Sequence, residues 1–156
     1  MNKKKTLLIY AVGIAVPLLV GGLSAALTMS ATETFSLLNR PPFSPPAGLF
    51  PLVWTVLYIL MGIAAARIYL SASEKKERAL FVFGVQLLFN FFWSIFFFNF
   101  RIFTFSAVWL ALMCALIIYL MILAFQIDKV AAFLLIPYIL WCLFALYLNI
   151  AIAILN

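Results

Sequence analysis

The sequence predicts an all-α membrane protein, a bundle of five transmembrane helices whose first two members are joined by a proline-rich loop. Three observations carry this. The chain is 69% hydrophobic and only 9% charged, where soluble domains carry about 25% charged residues. Its charges are gathered so that five uncharged runs lie between them, at residues 6–32, 41–66, 79–100, 102–127 and 130–156. Each run supplies the roughly 20 apolar residues that a spanning helix needs. Together they use nearly all of the 156 residues. One transmembrane domain over residues 1–156 is expected, with spans near 6–30, 45–70, 79–99, 103–126 and 130–154.

The first span follows Lys3, Lys4 and Lys5, an arrangement that a secretory signal shares. Its apolar stretch exceeds the roughly 7 to 15 residues of a signal core, so a retained helix is expected. Orientation follows from the basic residues. Lys3, Lys4, Lys5, Arg67, Lys75, Lys76, Arg78 and Lys129 fall on one side of such a bundle, and Arg40 and Arg101 on the other. That asymmetry puts the N terminus in the cytoplasm of a bacterial cell membrane. The net charge of +6 is then a matter of topology and lipid headgroups, and no nucleic acid partner is expected.

Between the first and second spans, residues 39–58 read NRPPFSPPAGLFPLVWTVLY. Proline fixes φ and removes a donor, so this entry to the second span is stiff and extended. Within that span Trp54, Tyr58 and Met61 recur at helical spacing and share a stripe. Trp54 and Tyr58 also suit a membrane-interface belt. In the third span Gln86, Asn90, Trp93 and Ser94 lie on one face, and an amide at membrane depth is costly without a partner. That face is expected to look inward, with Gln86 as interhelical glue and Asn90 as either glue or a ligand contact. Trp109 opens the fourth span as a belt residue. Trp141 stands midway along the fifth, on a face with Tyr138, Ala145, Leu148 and Asn149, where belt logic does not apply. Large rings with a polar handle suit pockets for flat aromatic ligands. Cys114 and Cys142 fall mid-span, where packing explains them.

Absences limit the chemistry. The chain has no histidine, which removes histidine bases, metal ligands and an axial histidine for haem. Glu33, Glu74, Glu77 and Asp128 all lie at span ends or in loops, not at the membrane core where ion-coupled transporters keep a carboxylate. No Walker loop, GxSxG elbow or HExxH helix is present. No metal site and no required cofactor are expected.

The string from Phe35 through Leu38, Asn39, Arg40, Pro41, Phe43, Pro45 and Pro46, followed by Phe50, Trp54, Leu57, Tyr58, Met61 and Gly62, resembles the signature of the tryptophan-rich sensory proteins. These are also called translocator proteins or peripheral-type benzodiazepine receptors. The resemblance continues through Pro17, Gly21 and Gly22, then Gln86, Asn90, Trp93, Phe96 and Phe97, and finally Pro137, Tyr138, Trp141, Ala145, Leu148 and Asn149. It implies a five-helix bundle, commonly a homodimer, whose pocket is covered by the first loop. It further implies binding of tetrapyrroles such as protoporphyrin IX and haem, and of hydrophobic isoquinoline and benzodiazepine ligands. By motif position Trp54 and Trp141 are the pocket tryptophans and Asn90 a polar contact. Phe35, Phe50, Tyr58, Trp93, Ala145, Leu148 and the region of Gly22 form walls. Light-dependent porphyrin breakdown in some members makes Trp54 and Trp141 candidates for photo-oxidation, with porphyrin as ligand or substrate. Transport of porphyrin or another lipophile, and a structural or regulatory partnership in the membrane, are the competing roles.

Two departures from the family pattern stand out. Thr34 and Phe35 replace a tyrosine or tryptophan-tyrosine pair before the proline loop. The C-terminal tail, residues 148–156, lacks the aromatic and basic residues of the animal cholesterol motif, which lowers the expectation of steroid handling.

Overall fold

A computed structural model describes residues 2–156. The first helix, α1 (Lys3–Leu27), is capped at its start by the Asn2 side chain, which accepts from the Lys4 N–H at 3.2 Å. It ends earlier than its uncharged run. Polar groups at residues 28–32 satisfy one another through a turn, with the Thr28 hydroxyl donating to the Ser24 carbonyl at 2.8 Å. A short helix that the sequence reading did not anticipate, α2 (Ala31–Leu37), follows at once. The irregular segment after it holds Pro41, Pro42, Pro45 and Pro46, and Phe43 sits there at φ 66°.

The second span, α3 (Leu49–Leu70), starts beyond residue 45 because Pro45 and Pro46 offer no N–H. Pro51 is tolerated in its first turn, where that donor is not needed. The third, α4 (Lys76–Ser94), runs directly into a π-helical turn at Ile95–Asn99. The fourth, α5 (Phe103–Ile127), is regular throughout. The last span is broken into α6 (Lys129–Leu134) and α7 (Ile136–Leu155) at Leu135, because Pro137 cannot donate to the preceding turn. Five stretches, Lys3–Leu27, Leu49–Leu70, Lys76–Asn99, Phe103–Ile127 and Lys129–Leu155, are long and apolar enough to cross a membrane.

α1 packs principally on α3, and a pair of glycines sets their distance. A Cβ on Gly62 would lie 2.5 Å from the Gly13 carbonyl oxygen, and one on Gly13 would lie 2.8 Å from the Gly62 oxygen. Pro17 contributes to the same crossing. It has no N–H to donate to the carbonyl four residues before it, that of Gly13, and the carbonyl so released is the one that faces Gly62. α3, α5 and α7 fill the core with Met61, Leu110, Met113, Ile117 and Tyr138, all fully buried, and α4 adds Gln86. Large apolar side chains such as Leu8, Leu19, Phe81 and Ile154 point outward, as they do where lipid is the solvent.

The basic end of the bundle is tied by charge. Asp128 caps α6, accepting from the N–H groups of Val130 at 2.8 Å and Ala131 at 3.1 Å, and pairs with Arg67 of α3 at 2.8 Å. The opposite end is tied by neutral groups. Asn39 donates its N–H to Asn156 Oδ1 at 3.0 Å, and Asn156 Nδ2 returns a bond to the Asn39 carbonyl at 3.0 Å. Tyr147 donates to the Pro42 carbonyl at 3.1 Å.

Candidate functional site

A cavity of about 250 Å³ lies at the loop end, enclosed by the second half of α1, α2, the first turns of α3, and the end of α4 with its π turn. Trp54 is its central ring. It is half-buried, stacks on Tyr58 at 5.6 Å and 28°, and meets Trp93 at 6.3 Å and Tyr138 at 6.3 Å. Helical spacing within α3 places Trp54 above Tyr58. Tyr58 has room because it faces Gly21, where any Cβ would collide with the ring. Phe35 of α2 and Phe50 of α3 form the upper wall, their rings 5.0 Å apart and edge-to-face. The Arg40 guanidinium lies 5.4 Å over the Phe35 ring, so one positive charge stands beside the upper wall.

Behind these rings the polar groups are paired with each other. Tyr58 donates its hydroxyl to Asn90 Oδ1 at 2.7 Å, Asn90 Nδ2 donates to the Tyr138 hydroxyl at 3.2 Å, and Tyr138 donates to Gln86 Oε1 at 2.6 Å. This chain joins α3, α4 and α7 at a depth where an unmet amide would be expensive. A second set surrounds Asn149. Its Oδ1 accepts from Trp93 Nε1 at 3.0 Å and Ser106 Oγ at 3.1 Å, and its Nδ2 donates to the Phe103 carbonyl at 2.9 Å. Trp93 therefore turns its indole N–H away from the cavity and offers it only ring surface. Gln86 Nε2 is buried without a partner among the described residues.

The structure brings Phe35, Phe50, Trp54, Tyr58, Trp93 and Gly22 around one space. Asn90 sits behind the wall, reaching the cavity only through Tyr58. Trp141 is elsewhere. It lies across α3, in an outward-facing groove of about 580 Å³ between α3 and α7, with Leu52, Val56, Leu60, Pro137 and Phe144. Phe50 separates the two spaces, since it lines the cavity and packs edge-to-face on Trp141 at 5.7 Å. Ala145 and Leu148 are buried between helices and border neither the cavity nor the groove. Trp109, the expected belt residue, is half-buried; its indole N–H donates to the Phe89 carbonyl at 2.8 Å and its ring stacks on Phe89 at 4.1 Å.

Sequence reasoning missed the contributions of Thr28, Ala31, Thr32 and Phe98. The two threonines had a signal. Thr28, Thr32 and Phe35 stand at i, i+4 and i+7, a helical stripe crossing the break between α1 and α2. Phe98 had none, because the π turn that aims it is not visible in a row of phenylalanines. Among the described residues, no three His, Cys, Asp or Glu side chains gather in a group that could hold a metal.

A profile described as the TspO/MBR family matches residues 13–155. The chain belongs to the TspO/MBR family. It is 35% identical to the "Tryptophan-rich protein TspO" of Chlorobaculum tepidum over 159 aligned residues, covering 100% of this chain and 99% of that one. It is 35% identical to the "Tryptophan-rich sensory protein" of Cereibacter sphaeroides, covering 75% of this chain and 73% of the relative. The "Translocator protein" of Sus scrofa is 30% identical, with 86% and 82% covered. Family membership and the five long apolar helices together make this an integral multi-pass membrane protein. Every TspO/MBR feature on which the resemblance rested lies in the matched segment, including the proline-rich string and Trp54.

Proposed function

We propose that this TspO/MBR protein is a membrane receptor for tetrapyrroles, with protoporphyrin IX the preferred form and haem, isoquinolines and benzodiazepines as further ligands. The observation that carries the reading is the aromatic cavity. Trp54, Tyr58, Trp93, Phe35 and Phe50 offer ring faces and edges, and Arg40 stands beside the upper wall as a partner for a carboxylate. A free-base macrocycle needs no axial ligand, which suits a chain without histidine.

Drug-sized ligands occupy roughly 300 to 1,000 Å³, so the cavity of about 250 Å³ must widen to admit one. Phe50 is the side chain whose rotation would join it to the groove at Trp141. Both pocket tryptophans would then touch the macrocycle. Under light, the excited ring would take one electron from either indole, leaving an indole radical cation, and dioxygen would then take that electron from the reduced ring as superoxide. The remaining features of the reading are a homodimer and a bacterial cell membrane with the N terminus on the cytoplasmic side.

Titration of protoporphyrin IX into the purified protein, followed by the Soret band, tests this. Trp54→Leu is expected to weaken binding at least 10-fold and Trp141→Leu less. Saturable binding that neither change weakens would remove the tetrapyrrole site from this cavity. Product analysis after illumination, with and without oxygen, separates turnover from binding.

A further inference from the structure

The cavity is not closed on all sides, and one open side faces the membrane. Of the residues around it, Gly21, Ser24, Phe35, Tyr58 and Trp93 are buried, and they form the floor and back wall. Thr32 of α2 is exposed at the loop end, and Gly22 and Ala25 of α1, with Pro51 and Thr55 of α3, are exposed between the spans. The latter four belong to two neighbouring spans, so their exposure is to the bilayer. The opening exists because α1 carries almost no side chain there. A Cβ placed on Gly22 would meet no atom within 4 Å.

Its depth follows from helix geometry. Gly22 precedes the end of α1 by five residues and Thr55 follows the start of α3 by six, which at about 1.5 Å per residue places the opening roughly 8 Å below the helix ends. For a hydrocarbon core of about 30 Å spanned by 25 residues of α1, that level is just inside the acyl region.

The chemistry of the rim fits that level. The Thr55 hydroxyl donates to the Pro51 carbonyl at 2.8 Å, Thr28 to Ser24 at 2.8 Å, and Ser24 to Phe91 at 3.3 Å. With the Thr55 hydroxyl turned onto backbone, and those of Ser24 and Thr28 behind it likewise, the gap between α1 and α3 asks nothing of water. The aqueous side is fastened by contrast. The segment bearing the prolines is held to the end of α7 by the reciprocal Asn39 and Asn156 bonds and by Tyr147.

We infer that the gap between α1 and α3 at Gly22, Ala25, Pro51 and Thr55 is a lateral portal, through which a flat amphipathic carboxylate dissolved in the bilayer reaches the cavity without passing through water. This inference rests on the tetrapyrrole reading for its ligand, and on the opening alone for its route. An amphiphile of that class floats with its carboxylates among the headgroups and its ring among the acyl chains. It thus arrives at the portal's depth, and on entry its carboxylates stay at the loop end, where Arg40 lies.

Two measurements on the full chain in lipid nanodiscs test the route. The first is the rate at which protoporphyrin IX, preloaded in donor vesicles, quenches the protein's tryptophan fluorescence. Gly22→Phe fills open space and is expected to slow association at least 10-fold, with Ala25→Phe as an independent plug. Asn156→Ala, which frees the proline segment, is expected to change the rate less than 2-fold. Plugged variants that associate at the wild-type rate, or a large acceleration in Asn156→Ala, would overturn the lateral route in favour of entry through the loop.

The second measurement uses no porphyrin. Phosphatidylcholine brominated near the carbonyl end of its acyl chains is expected to quench the Trp54 share of the emission, taken as the difference between wild type and Trp54→Phe. Gly22→Phe should cut that quenching at least 2-fold. No quenching of Trp54 in the wild type would show the portal closed to the bilayer. Lipid quenching combined with no binding of protoporphyrin IX would keep the opening and sink the tetrapyrrole reading instead.

Discussion

The two ends of the bundle are built on opposite rules. Toward the basic end α1 and α3 are drawn together, backbone against backbone, at Gly13 and Gly62, and Ala64, Ala65 and Ala66 continue as a buried small-residue surface. Toward the loop end the same helices hold Gly21 and Gly22, yet there the missing side chains leave room for a ring and for empty space. Glycine thus does two different jobs along one helix pair. It removes bulk so that backbones touch at one level, and so that a cavity persists at the other. The difference teaches that a small residue on a membrane helix has no fixed meaning until its opposite wall is known.

The largest expected effect breaks the tight end. In Gly62→Ala the new Cβ would stand 2.5 Å from both the Gly13 oxygen and the Ile14 Cα, and neither is the movable tip of a side chain. Overpacking costs about 1–3 kcal/mol where side chains can yield and more where they cannot; here two backbones must part, which puts the cost above that range and well beyond the roughly 1 kcal/mol gained from replacing glycine in a helix. A marked fall in the thermal unfolding midpoint in detergent is expected, larger than for Tyr138→Phe or Asp128→Ala. Gly22→Ala serves as the control from the other end. It meets nothing, so its stability should equal or exceed the wild type. Equal losses at both positions would mean that the two ends do not differ as described.

A middle-sized effect probes the floor that separates the ends. Tyr138→Phe deletes a hydroxyl that accepts from Asn90 and donates to Gln86, all three residues being almost wholly buried. Leaving buried partners unmet costs about 1–3 kcal/mol. Gln86 already lacks a partner for Nε2 among the described residues, so its amide would be left with no bond at all. Differential scanning of the unfolding midpoint in Tyr138→Phe against Tyr58→Phe checks this. The former should be the more damaging, because Tyr58 supplies one bond and Tyr138 two.

The same residues show what was legible beforehand. The inward faces of the second and third spans were readable because Trp54 with Tyr58, and Asn90 with Trp93, recur at helical spacing, and an amide in lipid must find a partner. The five spans were readable from uncharged runs. α2 was not, since its seven residues are polar enough to pass for loop. The place of Trp141 was not readable either. Its mid-span position shows that it avoids the headgroups, but which of two spaces it enters depends on Phe50, which arrives from another helix. Gly21 under Tyr58 is likewise a meeting of residues far apart in the chain, and no local period encodes it.

The smallest effect separates the ends by charge. Burial pushes the Asp128 carboxyl up, but the Arg67 hydrogen bond and the N–H groups of Ala131 and Val130 outweigh it and hold the group below its usual range. A carboxylate whose folded value is depressed contributes fully above the unfolded value of about 3.9, and that contribution is lost as pH falls through the lower folded value. Stability from this group should therefore be level from neutral pH to about 5 and decline below about 4. Asp128→Ala loses the α6 cap together with a partly exposed ion pair, worth about 1–2 kcal/mol in all. Its deficit against wild type should shrink in acid. At the loop end the clasp between Asn39 and Asn156 is made of backbone and side-chain amides, which do not ionise, so amide exchange around Asn39 should not follow the acid loss. Exchange that rises equally at both ends would show the bundle opening as one unit, and the contrast between its ends would then be one of geometry alone.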